Sequence, residues 1–148
     1  MAKFFSCYNQ GMNEPVKRSN SPFKPPSGWL NKFRYAFRGL AQGIAGQSSF
    51  WVHLPVAVLV IALGCWLQVS VIELCILLLC IALVITLELA NSGLEFLAAE
   101  VTQSYSKRVE SALNVAAAAV LVASCFAVVI GVLILGPKVY AQWFVGAL

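Results

Sequence analysis

From Val115 to Leu135 the chain carries no charged residue, and a second uncharged run extends from Leu74 to Leu87. Runs of this kind suit the hydrocarbon thickness of a bilayer better than the core of a small soluble domain. Composition agrees, since the 148 residues are 60% hydrophobic and 11% charged, with a mean hydropathy of +0.83. A soluble domain of that size could not bury so much apolar surface, so lipid is the solvent for much of it. The fold class read from these runs is an all-α membrane protein.

Residues 1–27 place Pro15, Pro22, Pro25 and Pro26 among Ser, Asn and Lys, and read as a disordered tail. No apolar core or small-residue cleavage site follows the basic start, which excludes a secretory signal peptide. Phe4 and Phe5 are candidates for touching the bilayer. Ser27 stands where an N-cap would, ahead of a helix beginning near Trp29. Trp29, Leu30, Phe33, Phe37, Leu40 and Ile44 then recur at three- and four-residue steps, with Lys32, Arg34, Arg38 and Gln42 on the other side. This is a basic amphipathic helix suited to lying in the membrane interface.

A first span is expected from about Phe50 to Val71, with Trp51 and Trp66 as interfacial aromatics near its ends. His53 and Pro55 fall in its first turns; a lone His there is more often an interfacial hydrogen-bonding residue than a ligand. Glu73 is expected in the short turn before a second span, Leu74 to Leu89, whose helix continues through Glu95 to about Val101. After a loop from Thr102 to Ser106, a third span runs from Val115 to Leu135 and is stopped by Gly136-Pro137. Ala116 to Ala119 offer it a small-residue face for helix packing. The organisation is therefore a tail (1–27), a membrane domain (28–136) made of a surface helix and three transmembrane helices, and a short C-terminal tail (137–148) with Tyr140 and Trp143.

Seven of the ten basic residues precede residue 39, and the 102–112 loop raises the count on that side to nine, leaving Lys138 for the other. The positive-inside rule then places the N-terminus in the cytoplasm and the C-terminus outside. Nucleic acid is not an expected partner, because no aromatic-basic groove or motif accompanies the charge. The five cysteines, Cys7, Cys65, Cys75, Cys80 and Cys125, form no close pair with one another or with His53, and read as small apolar residues.

All six acidic residues are Glu, so chemistry that needs carboxylates has few to draw on. Two of them, Glu88 and Glu95, flank Asn91 and Ser92 at i, i+3, i+4 and i+7, which puts all four on one helical face. Carboxylates at the lip of a membrane span are costly unless something uses or pairs them.

The stretch Glu88-Leu-Ala-Asn91-Ser92-Gly-Leu-Glu95 resembles the E-x-x-N-[ST]-x-x-E motif of the small prokaryotic lipid kinases, the integral-membrane diacylglycerol and undecaprenol kinases. The resemblance covers residues 29–135. Tyr35-Ala-Phe37-Arg38-Gly39-Leu40 in the surface helix, Phe50-Trp-Val-His53 and Ala112-Leu-Asn114-Val-Ala-Ala-Ala-Ala-Val-Leu121 support it. It implies a homotrimer in the inner (cytoplasmic) membrane, with active sites between neighbouring subunits, that transfers the γ-phosphoryl of ATP to a lipid hydroxyl with Mg²⁺. Mapped by motif, Glu88 is the general base and Glu95 holds Mg²⁺, joined by Gln47 at the position of a further metal-binding Glu. Asn91, Tyr35, Arg38 and Asn114 fall on the nucleotide side. His53 leans toward the undecaprenol branch.

Three positions depart from the family pattern. Gln47 replaces a Glu, Leu113-Asn114 replaces Lys-Asp, and Ala99 stands where an Asp is expected, with Glu100 beside it. Two other readings accordingly stand beside the kinase. One is a catalytically impaired relative acting as a membrane-embedded binding or regulatory subunit; the other is an unrelated membrane protein whose glutamates only pair with Arg or Lys.

Overall fold

The computed structural model describes residues 28–102 and 104–145. The expected tail at 1–27, with Phe4, Phe5 and the Ser27 cap, lies outside the described residues, as do Cys7 and Gln103. The described residues form four α-helices and a π-helical turn, with no strand among them: α1 (Trp29–Gly46), α2 (Phe50–Trp66), α3 (Val71–Val101), α4 (Lys107–Tyr140) and the turn Ala141–Val145. The chain divides into two compact units, Met1–Tyr35 and Ala36–Leu148.

In the first unit the described residues are the opening turns of α1. The Gly28 carbonyl accepts the first helical hydrogen bond, from the Lys32 N–H at 3.2 Å. Gly28 itself has φ +90°, a conformation that costs glycine nothing. The Lys32 ammonium lies 5.3 Å from the centre of the Trp29 ring, close enough for a cation–π contact.

In the second unit the last turns of α1 stop at Gly46, and α2 starts at Phe50, with a bend of 106° between the two helices. Phe50 fills the corner, 1% exposed. The expected first span is too long by a turn, because α2 ends at Trp66. There the Gln68 N–H bonds to the Cys65 carbonyl and the Val69 N–H to the Gly64 carbonyl, with Gln68 at φ 50°. This is a Schellman ending, in which one left-handed residue lets the outer N–H groups satisfy the last helical carbonyls.

The next helix begins at once. The Ser70 hydroxyl accepts from the Glu73 N–H at 3.3 Å, and the Glu73 carboxylate accepts from the Ser70 N–H at 2.6 Å. Glu73 is thus the third residue of α3 in a capping box, not a turn residue before the span. α3 then runs unbroken for 31 residues, a length of about 46 Å against a hydrocarbon core of about 30 Å.

α4 also outruns its expectation at both ends. It starts at Lys107 and passes through Gly136-Pro137 to Tyr140. Proline removes one hydrogen bond, but the ladder resumes beyond it, since the Ala141 N–H reaches the Lys138 and Pro137 carbonyls. Lys138 meets Glu73 at 3.1 Å and ties the end of α4 to the start of α3. At the other end of this hairpin Tyr105 donates to Glu110 at 2.5 Å, which pushes the phenol pKa up by stabilising its protonated form.

α3 and α4 pack along each other most extensively, and α2 leans mainly on α3. The buried apolar residues are few: Phe50, Ala57, Leu67, Leu77, Val84, Val120 and Ala123. Only 17% of the most apolar stretch of either long helix is buried within the chain. Two helices, α3 and α4, are long and apolar enough to cross a membrane; α2 reaches that standard only together with α1. The described residues are all-helical, and most of the apolar surface of α3 and α4 faces outward, as in a membrane protein.

Candidate active site

The face expected on α3 forms as its spacing requires. Glu88, Asn91 and Ser92 are buried, at 4%, 8% and 1% exposure, and Glu95 one turn further on is half-buried. The end of α1 lies against this part of α3. A methyl group on Gly43 would lie 2.7 Å from the Leu89 side chain, and one on Gly46 would lie 3.1 Å from Phe96. Glycine at both positions gives the Leu89 and Phe96 side chains of α3 room against α1, and the chain just past α1 carries the following residue, Gln47, to the site.

Gln47 Nε2 donates to Glu95 Oε2, and Asn91 Nδ2 donates to Glu95 Oε1 at 2.7 Å. An ionised carboxylate only accepts hydrogen bonds, so both amides must turn their NH₂ groups to Glu95 and their oxygens away. Asn91 Oδ1 is buried there without a hydrogen-bond partner among the described residues. The Ser92 hydroxyl is spent within the helix, donating to the Glu88 carbonyl at 2.9 Å. Beside Ser92 a cleft of about 320 Å³ opens between α1 and α3, bounded by Ala36, Gly39, Gly43, Leu89 and Phe96.

The structure therefore brings Gln47, Asn91 and Glu95 into one hydrogen-bonded cluster, with Glu88 two turns back on the same helix. Other candidates of the second unit make no hydrogen bond to it. Arg38 and Asn114 are exposed and make no hydrogen bond to the cluster. Tyr35 belongs to the first unit. Leu113 lines an apolar crease with Leu94, Leu97, Val101 and Val109, and Ala99 and Glu100 are exposed. His53 is half-buried along an apolar groove with Val84, Ser124 and Val128.

No group of three His, Cys, Asp or Glu side chains that could hold a metal occurs among the described residues. The cluster does present oxygen donors of the kind Mg²⁺ prefers: the Glu95 carboxylate and the unpartnered Asn91 Oδ1. Mg²⁺ keeps several waters and is commonly held by one or two carboxylates plus substrate phosphates. The donor set fits a cation shared with phosphate, not one enclosed by protein alone.

The profile of the prokaryotic diacylglycerol kinases matches residues 34–135, which include the whole cluster. The chain belongs to this family. Among curated proteins it is 34% identical over 128 residues to a diacylglycerol kinase of Synechocystis, an alignment covering 86% of this chain and 72% of that one. It is 30% identical over 110 residues to an undecaprenol kinase of Bacillus subtilis, covering 74% and 89% of the two chains. No solved structure matches it. For a member of this family, Gly43 and Gly46 are the site residues that motif reading passed over. Their three-residue spacing on the surface helix was the available signal, because it puts two side-chain-free positions on adjacent turns.

Proposed function

We propose that the chain is an ATP- and Mg²⁺-dependent lipid kinase that phosphorylates the hydroxyl of diacylglycerol or undecaprenol at the cytoplasmic face of the inner membrane, working as a homotrimer with three spans per subunit. The observation that carries this reading is Glu88, a carboxylate 4% exposed, on the same face as the Glu95–Asn91–Gln47 cluster. A buried carboxylate is expensive to keep unless it is used. Family membership and the names of the relatives support the reaction class.

In this reading the acceptor is a lipid hydroxyl presented to Glu88. Glu88 takes the hydroxyl proton as the oxygen forms its bond to the γ-phosphorus, and the bond from that phosphorus to the β,γ-bridging oxygen breaks to release ADP. Glu95 and Asn91 Oδ1 would hold Mg²⁺, which neutralises charge spreading over the phosphoryl oxygens. Arg38, Tyr35 and Asn114 would serve the nucleotide.

The test is transfer of label from Mg²⁺-ATP to diacylglycerol and to undecaprenol by the purified protein in detergent, beside Glu88→Ala. Labelling of one lipid that the substitution abolishes is expected. Labelling of neither would sink the reading and favour a binding or regulatory subunit. The observation favouring that second reading is Leu113, which packs into an apolar crease and stands where the family pattern described above has a lysine.

A further inference from the structure

The Gln47–Glu95 contact has no counterpart in a site built from two carboxylates. Two carboxylates so close repel each other unless a cation or a proton lies between them. Here one partner is an amide, and its NH₂ group meets the Glu95 oxygen directly. The other Glu95 oxygen is met by Asn91 Nδ2 at 2.7 Å. Both carboxylate oxygens thus have a donor before any ion arrives, and such charge-assisted bonds are among the stronger ones. The same two bonds leave Asn91 Oδ1 buried and unpartnered.

We propose that the Gln47 amide occupies the place of a bridging cation, so that Glu95 is held in its working position without metal and the free protein neither needs Mg²⁺ nor retains it. Gln47 is then a positioning residue for Glu95. With one carboxylate and neutral amide oxygens, the cluster lacks the charge to strip water from Mg²⁺ unaided. Metal uptake requires further negative charge, which nucleotide phosphates would supply. That last step rests on the kinase reading; the amide clamp does not.

Thermal unfolding of the full chain in detergent tests the clamp. The wild-type midpoint should be the same in EDTA and in excess free Mg²⁺ at matched ionic strength. Gln47→Glu should unfold at lower temperature than wild type in EDTA, recover when Mg²⁺ is added, and bind free Mg²⁺ on the order of tenfold more tightly. Gln47→Ala should be destabilised in both conditions, with no response to the ion. A wild-type midpoint that rises with free Mg²⁺ as much as that of Gln47→Glu overturns the proposal, and so does a Gln47→Glu protein that is fully stable in EDTA.

If Gln47→Glu does not fold, Mn²⁺ titration of the wild type, read by electron paramagnetic resonance, decides. Uptake of Mn²⁺ without nucleotide overturns the clamp, and its absence supports it. The two readings fail separately. Lipid labelling together with an unresponsive Gln47→Glu leaves the kinase and removes the clamp, whereas the reverse pattern keeps the clamp and removes the kinase.

Discussion

Replacing Glu88 by Gln keeps the shape of the side chain and removes its ability to take a proton. If Glu88 is the base, Glu88→Gln should fold like the wild type and lose on the order of 10²- to 10⁴-fold in turnover. Thermal unfolding and lipid labelling on the same preparation check both halves of that statement. Asn91 does a different job, since it donates one hydrogen bond to Glu95 at 2.7 Å and leaves an oxygen facing inward. Asn91→Leu withdraws both, and kcat/KM for Mg²⁺-ATP should fall by on the order of tenfold or more. The spacing of these residues made their common face legible from the sequence. Which end of each amide points at Glu95 was not legible, because it is decided by the carboxylate's inability to donate and by Gln47 arriving from the connection between α1 and α2.

Helix ends and crossings depend on single residues in the same way. A methyl group on Gly43 would sit 2.7 Å from Leu89, whereas one on Gly39 meets nothing within 4 Å. Gly43→Val should therefore push α1 off α3, lowering both the unfolding midpoint and lipid labelling, while Gly39→Ala should leave the midpoint unchanged. Equal midpoints for the two variants would contradict the packing. Gln68 holds φ 50° at the end of α2, a conformation that costs a non-glycine residue about 1–2 kcal/mol. Gln68→Gly should accordingly raise the unfolding midpoint. These ends explain why α2 stops earlier, and α4 later, than hydropathy suggests. Hydropathy reports which residues tolerate lipid, not where a helix ends. Glycine usually marks a Schellman ending, and Gln68 conceals it. Pro137 announces a stop that comes too near the natural end of α4 to matter, and the Lys138–Glu73 pair holds the helix in place beyond it.

Across the whole molecule, the outward apolar surface and the division of basic residues make a topological prediction. With the N-terminus cytoplasmic, Ser104→Cys in the loop before α4 should react with a membrane-impermeant thiol reagent only from the cytoplasmic side. Gln68→Cys should react only from the opposite side, both variants being made in a chain whose five native cysteines are replaced by alanine, and the reverse pattern would overturn the orientation. The same pair tests whether α3 crosses the membrane, because residues 68 and 104 then lie on opposite faces. The unbroken run of α3 carries a further consequence. Measured from Val71, Glu88 lies about 26 Å along the helix and Glu95 about 36 Å, so a hydrocarbon core of about 30 Å would end between them. On that placement one rod would hold one carboxylate on the oily side of a phase boundary and the other on the watery side. If the chain is the proposed kinase, a greasy alcohol and a highly charged phosphate donor would each approach from the medium that dissolves it and meet at that boundary.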